Sequence, residues 1–328
     1  MVALHGLAFR VRLARSHNPM DLQLTIRKRV TAEGIGLHSG QPSKITLSPA
    51  PADSGIVFRA TDPHRTLIPA RRDAVVDSRF ATTLGVNGTR VRTVEHLMAA
   101  AAALGIDNLL VEVEGEEIPA MDGSAEPFVS LLYAAGKATL VAPRRPLVIT
   151  EPIRVGDDGR WLQILPSDDF RVSYTLDVDH PAVGTQAASF TCTEQVFVEQ
   201  VAPARTYGFL KDVGTLRNNG LARGGSLENT VVVGRRSVLN TRLRYRDEFV
   251  RHKILDLIGD LALLGRPVVG HVVARNAGHA LNHQLVNAIA ETFIPETRSN
   301  RATVRALSHP VDRLEGVRRE PLPGIAAL

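Results

Sequence analysis

The stretch Asp247-Glu-Phe-Val-Arg-His252-Lys-Ile-Leu-Asp256-Leu-Ile-Gly-Asp260-Leu-Ala-Leu-Leu264 reads as a single long helix, stopped by Gly265. A strand follows over residues 268–274, then the loop Asn276-Ala277-Gly278, then a helix from about residue 280 to 292. The same order of signals occurs once before. Residues 93–104 read as a helix with Thr93 as N-cap and Gly105 as its stop. Residues 108–113 read as a strand, 119–124 as a loop with turn chemistry, and about 126–135 as a helix. Short alternating strand candidates precede each run, at 45–47 and at 172–176. The echo is one of pattern, with weak identity between the halves. It predicts an α+β fold of two similarly built domains meeting face to face, with a site between them.

The junction falls at Ala142-Pro-Arg-Arg-Pro146, where two prolines interrupt regular structure. That divides the chain into a first α+β domain over residues 21–142 and a second over 147–300. Residues 1–20 form an unstructured N-terminal extension and 301–328 a C-terminal tail. The extension carries Arg10, Arg12 and Arg15 and no acidic residue. That composition suits either an organellar targeting peptide or a ragged lead-in to the strand-like Leu22-Gln-Leu-Thr-Ile26.

Hydrophobic residues make up 44% of the 328 and charged residues 22%, ordinary values for a folded globular chain. The longest apolar run, 97–106, is far shorter than the roughly 20 residues of a membrane span. The lone cysteine, Cys192, permits no intrachain disulfide, which fits a reducing, cytoplasmic setting. It also leaves any metal to histidine and carboxylate. The net charge of +5 is compatible with nucleic acid, an anionic membrane face or a phosphorylated small substrate. The basic residues are scattered, and no long basic tract marks a nucleic-acid arm.

His252 and Asp256 stand four apart on the long helix, so both project from one face and can reach one cation. Asp260, four further on, joins that face behind them. A solvated or salt-bridged helix face explains the same spacing. Glu95 and His96 adjoin at the start of the first helix, about 100° apart around its axis. They can divide labour, the histidine binding metal while the carboxylate faces an attacking water; alternatively, Glu95 only favours the positive end of its helix. Three protein ligands and an open position characterise catalytic rather than structural zinc. His279, after Gly278, can supply a proton near neutral pH, or it is a capping or surface histidine.

Seven segments together resemble the UDP-3-O-acyl-N-acetylglucosamine deacetylase family. They are Gly34-Ile-Gly-Leu-His-Ser-Gly40, Thr93-Val-Glu-His-Leu97, Glu117-Ile-Pro-Ala-Met-Asp-Gly-Ser-Ala125, Ala204-Arg-Thr-Tyr-Gly-Phe209, Gly220-Leu-Ala-Arg-Gly-Gly-Ser226, Asp247-Glu-Phe-Val-Arg-His-Lys253 and Gly278-His-Ala-Leu-Asn282. They occur in the family's order between about residues 22 and 292. The resemblance implies two domains of similar topology, with the helices sandwiched between the two sheets. It implies His96, His252 and Asp256 as ligands of Zn2+, Glu95 as general base, and His279 as general acid oriented by Asp260. It further implies that Thr206 donates to the oxyanion, and that Lys253 supports substrate and transition-state charge. An insert in the second domain, about residues 210–233, would form a passage for an acyl chain.

Three positions, in two places, depart from the family's usual pattern. Tyr207 stands where many relatives carry phenylalanine, which bears on contacts to the sugar. Arg79 and Ala81 lie in the first domain's insert where relatives are often less polar or bulkier, which bears on acyl length and inhibitor sensitivity. The implied reaction is hydrolysis of the N-acetyl group of an acylated UDP-sugar, the committed step of lipid A synthesis. The implied partner is that small molecule, with no nucleic acid, no membrane span and at most transient proximity to a membrane surface. Two other readings compete on the residues alone: a zinc amidohydrolase acting on another N-acyl sugar, and a basic non-catalytic binding module. A His2Asp set also accommodates Fe(II) or Co(II).

Overall fold

Alternation builds the sheets. In Pro42–Pro49 the side chains of Ser43, Ile45 and Leu47 are buried while Lys44, Thr46 and Ser48 are less so. In Phe170–Val178 the buried set is Val172, Tyr174 and Leu176. Each strand thus lays one apolar row on the core. In this computed structural model residues 22–294 are described; the expectations for residues 1–20, for 301–328 and for the end of the second domain at 300 lie outside them.

The first half runs β1 (Leu22–Ile26), β2 (Val30–Ile35), β3 (Pro42–Pro49), β4 (Ile56–Ala60) and β5 (Leu67–Pro69). An insert of β6 (Val75–Asp77), β7 (Thr83–Val86) and β8 (Thr89–Val91) precedes α1 (Glu95–Ala103), β9 (Leu109–Glu114), α2 (Glu126–Ala135) and β10 (Lys137–Pro143). The second half runs β11 (Leu147–Val148), β12 (Ile153–Gly156), β13 (Trp161–Leu165), β14 (Phe170–Val178) and β15 (Gly184–Thr191). Its insert holds α3 (Glu194–Val196), the π-helical turn Phe197–Val201, β16 (Tyr207–Phe209), α4 (Leu210–Asn218) and β17 (Val231–Val233). It closes with α5 (Glu248–Leu261), β18 (Val268–Arg275) and α6 (His279–Phe293).

The two main sheets have the same topology. One is ordered β2-β3-β9-β4-β5, the other β12-β13-β18-β14-β15. In each, the strand that follows the first long helix is central. It pairs antiparallel with the second strand and parallel with the third. The internal echo is therefore a repeated fold: α+β, with α1 and α2 backing the first sheet, α5 and α6 backing the second, and α1 packed on α5 between them. β1 pairs with β10 outside both sheets, and β11 adds to β18.

The helix ends differ in one respect from the expectation. Gly105 and Gly265 stop their helices in left-handed backbone, φ 71° and 68°, as glycine allows. Thr93, however, does not cap α1. Val94 occupies the N-cap position, and Thr93 itself lies at φ 58°. Its hydroxyl donates instead to the buried carboxylate of Glu117 at 2.7 Å. A charge-assisted bond of that kind outweighs the bond to a helix amide and holds the backbone in a region a β-branched residue otherwise avoids.

Gly259 sets the spacing of the central helices. A Cβ there would lie 2.1 Å from the Glu95 carbonyl oxygen. The missing side chain lets α1 and α5 approach closely. Among the described residues no helix is long and apolar enough to cross a membrane.

Candidate metal and acid–base site

The crossing of α1 and α5 assembles the site. From the first turn of α1 come Glu95 and His96; from α5 come His252, Asp256 and Asp260. All five side chains are buried. One ligand atom each of His96, His252 and Asp256 lies within 4.8 Å of the others. Asp256 Oδ1 is 3.6 Å from His96 Nε2 and 3.4 Å from His252 Nε2. The two imidazoles meet edge to face, with ring centroids 5.0 Å apart.

Surrounding groups aim these donors. His252 Nδ1 donates to the Ala204 carbonyl at 3.1 Å, leaving the Nε2 lone pair directed at the cluster. Burial, against the pull of Asp256, holds the His252 pKa down to about 4, so the ring is the neutral form a cation requires. Asp256 uses Oδ2 to accept from Lys253 Nζ at 2.7 Å, which keeps Oδ1 for the histidines. Burial opposes its charge, but His252 and Lys253 hold the carboxyl well below the ordinary range. Two imidazole nitrogens and a carboxylate oxygen converging from one side fit a divalent cation with an open position.

The acid–base groups border this cluster. His279 is the first residue of α6 and is buried, which excludes the surface alternative. Its Nδ1 bonds Asp260 Oδ2 at 2.7 Å, and its Nε2 faces Glu95 Oε1 at 3.8 Å. Burial disfavours the imidazolium, but the charge and hydrogen bond of Asp260 outweigh it and raise the pKa to about 9. Glu95 moves the other way. Burial lifts it to about 7, against the pull of His279 and His96. A divalent cation at the cluster adds positive charge and lowers both. The pair is arranged so that one group is ready to accept a proton while its neighbour holds one.

The rest of the wall comes from interlocked loops. The buried Glu248 at the start of α5 accepts from the Arg205 amide and guanidinium, at 3.1 and 2.8 Å, and from the Arg244 amide. That fixes Ala204-Arg-Thr-Tyr207. Thr206 is further held by its amide bond to Gly123 O at 2.7 Å and by Val231 donating to its carbonyl. Gly123 has φ 85°, and a Cβ there would lie 2.0 Å from Asn229 O, so only glycine allows the two halves this contact. Tyr207 packs edge-on against Phe249, centroids 4.8 Å apart, and burial raises its phenol pKa. On the opposite side, Glu117 accepts from the amides of His38 and Ser39 at 2.9 and 2.8 Å, bracing the Gly36–Gly40 turn beside α1.

These walls enclose a cleft of about 560 Å³. Thr206, Tyr207 and Lys253 line it with Glu95, His96, His252, Asp256 and His279; Asp260 lies behind His279. Arg79 reaches its mouth, bonded to Asp77, while Ala81 is buried beneath. No residue of 210–233, the expected acyl passage, lines this cleft. α4 in that segment buries none of its residues.

The candidate ligands and acid–base and substrate residues, Glu95, His96, Thr206, Tyr207, His252, Lys253, Asp256, Asp260 and His279, thus lie in or directly behind one cleft. Sequence reasoning missed Thr82, Asn282 and His283. Asn282 donates to Asp260 Oδ2 at 2.8 Å, and Thr82 bonds both Asp260 and His283. The available signal was the i, i+4 spacing of His279 and His283 on α6. Nothing local marks Thr82, whose partners are 12 or more residues away.

A family model described as UDP-3-O-acyl N-acetylglycosamine deacetylase matches residues 23–291. Proteins named UDP-3-O-acyl-N-acetylglucosamine deacetylase are similar over most of this chain. That of Myxococcus xanthus is 51% identical over 269 residues, covering 81% of this chain and 86% of its own. That of Oleidesulfovibrio alaskensis is 49% identical over 272 residues, 82% and 89%. That of Idiomarina loihiensis is 45% identical over 275 residues, 82% and 90%.

Proposed function

Because the chain belongs to the UDP-3-O-acyl-N-acetylglucosamine deacetylase family, we propose that it hydrolyses the N-acetyl group of UDP-3-O-(3-hydroxyacyl)-N-acetylglucosamine, the step that commits this sugar nucleotide to lipid A synthesis. The observation that carries the reading is the facing of Glu95 Oε1 and His279 Nε2 beside the His96, His252 and Asp256 cluster. A binding module has no use for a buried acid–base pair, and a structural metal site would be closed by a fourth ligand.

His96, His252 and Asp256 are read as the ligands of Zn2+. When bound there, zinc supplies Lewis acidity towards a carbonyl oxygen and lowers the pKa of water at its open position towards about 7. Glu95 accepts the proton of the attacking water through Oε1. The water oxygen adds to the acetamide carbonyl carbon, and Thr206 donates its hydroxyl to the oxygen that becomes negative. One such donor is typically worth about 3 kcal/mol in the transition state. His279 then delivers its Nε2 proton to the departing nitrogen as the carbon–nitrogen bond breaks, and Asp260 holds the ring through Nδ1. Acetate and a free glucosamine amine leave.

Lys253 neutralises Asp256 and lies at the cleft surface, where it serves the charge of the substrate. Arg160, which also lines the cleft, suits a diphosphate. Tyr207 offers an aromatic edge to the sugar. The acyl chain is read as leaving between the two inserts, where Phe80 and Leu210 expose apolar surface. The enzyme so described works in the cytoplasm on a substrate whose acyl chain draws it near a membrane surface.

The experiment is acetate release from that substrate by the metal-loaded protein, then with chelator, then with zinc restored. Chelator-sensitive turnover recovered at one zinc per chain is expected. A folded, zinc-loaded protein that releases no acetate would sink the assignment. Turnover of unacylated N-acetyl sugars at equal efficiency would shift it to a general amidohydrolase.

A further inference from the structure

Thr82 lies in the turn between β6 and β7, in the first half's insert, and is fully buried. Its two polar groups reach both sides of the site. The backbone N–H donates to Glu95 Oε2 at 3.1 Å. The hydroxyl lies 2.5 Å from Asp260 Oδ1, 2.9 Å from His283 Nε2 and, at the limit of a hydrogen bond, 3.5 Å from His279 Nδ1. A hydroxyl has one proton, and the Asp260 carboxyl is held below its ordinary pKa, burial being outweighed by His279 and its other donors, so it only accepts. The Thr82 proton therefore goes to Asp260, and the hydroxyl oxygen accepts from His283 Nε2–H.

Each carboxylate has one oxygen engaged in this way; the other oxygen of Asp260, Oδ2, also accepts from Asn282 at 2.8 Å. Glu95 Oε2 and Asp260 Oδ1 are tied to Thr82. Glu95 Oε1 and Asp260 Oδ2 are the oxygens that face His279, at Nε2 and Nδ1 respectively. Asp260 belongs to the second half and Glu95 to the first. Thr82 is thus a short bridge of two bonds that joins the general base to the residue orienting the general acid.

We propose that Thr82 is a positioning residue, which fixes which oxygen of Glu95 and which oxygen of Asp260 meet the His279 imidazole. His283 supports it by donating to the hydroxyl, which obliges the hydroxyl proton to point at Asp260. The inference rests on the roles proposed above for Glu95 and His279. It adds that their geometry is set jointly, through a residue that touches neither substrate nor metal ligand. Misplacement by a fraction of an ångström in such a pair costs catalysis without costing binding.

The test compares Thr82→Val, which keeps the shape and the backbone N–H but removes the hydroxyl, with Thr82→Ser, which keeps both polar groups. Thr82→Val is expected to lower kcat by between roughly ten- and a hundredfold, with KM, zinc content and thermal midpoint close to those of the parent. Thr82→Ser is expected to stay within about threefold of the parent, on the same scale. In an Asp260→Asn background, Thr82→Val should cost little more, because the hydroxyl acts through that carboxylate. The arrangement is also read without turnover: the NMR signal of the His279 Nδ1 proton should move in Thr82→Val and not in Thr82→Ser. An unmoved proton signal in Thr82→Val, a kcat equal to the parent's, full additivity with Asp260→Asn, or a Thr82→Ser variant as slow as Thr82→Val would each overturn the proposal. Should Thr82→Val not fold, Thr82→Ala replaces it, with the same readings. An unaltered enzyme that never releases acetate removes the deacetylase reading instead, and the proton signal still decides the positioning role.

Discussion

The two halves of this protein share one strand order and differ in what they carry. The first half presents its chemistry on neighbouring residues, Glu95 and His96, at the start of α1. The second presents His252, Asp256 and Asp260 as a ladder along α5, and His279 at the start of α6. The structurally equivalent helix of the first half, α2, begins with Glu126, bonded outward to Arg244. Its preceding loop, with Gly123, holds Thr206 of the other half rather than a reacting group. A repeated fold therefore supplies a frame with two facing helices, and the chemistry is divided between them. Neither half alone supplies the three donors of the candidate metal cluster, so the close crossing at Gly259 is needed to bring them together.

If the halves contribute equally to the metal site, His96→Ala and His252→Ala should fail alike. Each is expected to lose stoichiometric zinc and to bring acetate release down to background. A His96→Ala protein that still binds one zinc would make the second half alone the metal site. His279→Ala separates ligand from acid: turnover should fall roughly 100- to 10,000-fold while zinc is retained. Full activity in that zinc-replete variant would remove His279 from the mechanism.

A smaller effect is expected of Asp260→Asn. If His279 acts as the general acid proposed above, activity falls as pH rises through its pKa, which Asp260 raises and a bound cation lowers. Removing that negative charge lowers the pKa, so the alkaline limb of the rate profile should move to lower pH. An unmoved limb would assign the limb to another group. Gly259→Ala tests the frame. A methyl directed at the Glu95 carbonyl should cost on the order of 1–3 kcal/mol in urea denaturation and weaken zinc binding. The least effect belongs to the exposed pair Arg275–Asp177, 2.6 Å apart. Its loss in Arg275→Ala should change stability by less than about 1 kcal/mol and leave acetate release untouched.

Much of the frame could be read from local pattern. The helix stops at Gly105 and Gly265, the alternation of β3 and β14, and the order helix, strand, loop, helix in each half depend on interactions within a few residues. Where a distant partner intervenes, the reading fails. Thr93 has the residue type and position of an N-cap, yet its hydroxyl is taken by Glu117, 24 residues away. His279 could not be told from a surface histidine until Asp260 and Glu95 were seen around it. Thr82 has no local signature at all, because both groups it joins lie on other elements.

The amino-acid sequence by itself determined that His252 and Asp256 share a helix face, that Glu95 and His96 diverge around another helix, and that any metal site is not cysteine-rich. Backbone periodicity and composition set those relations regardless of what surrounds them. Only the tertiary structure decided that the two helices cross closely enough to bring His96 and His252 edge to face, and that Glu95 faces His279. It also decided which carboxylate oxygens are free to act. Those facts depend on distances across the helix–helix interface and on burial. Burial raises Glu95 and lowers His252 according to how much water each has lost.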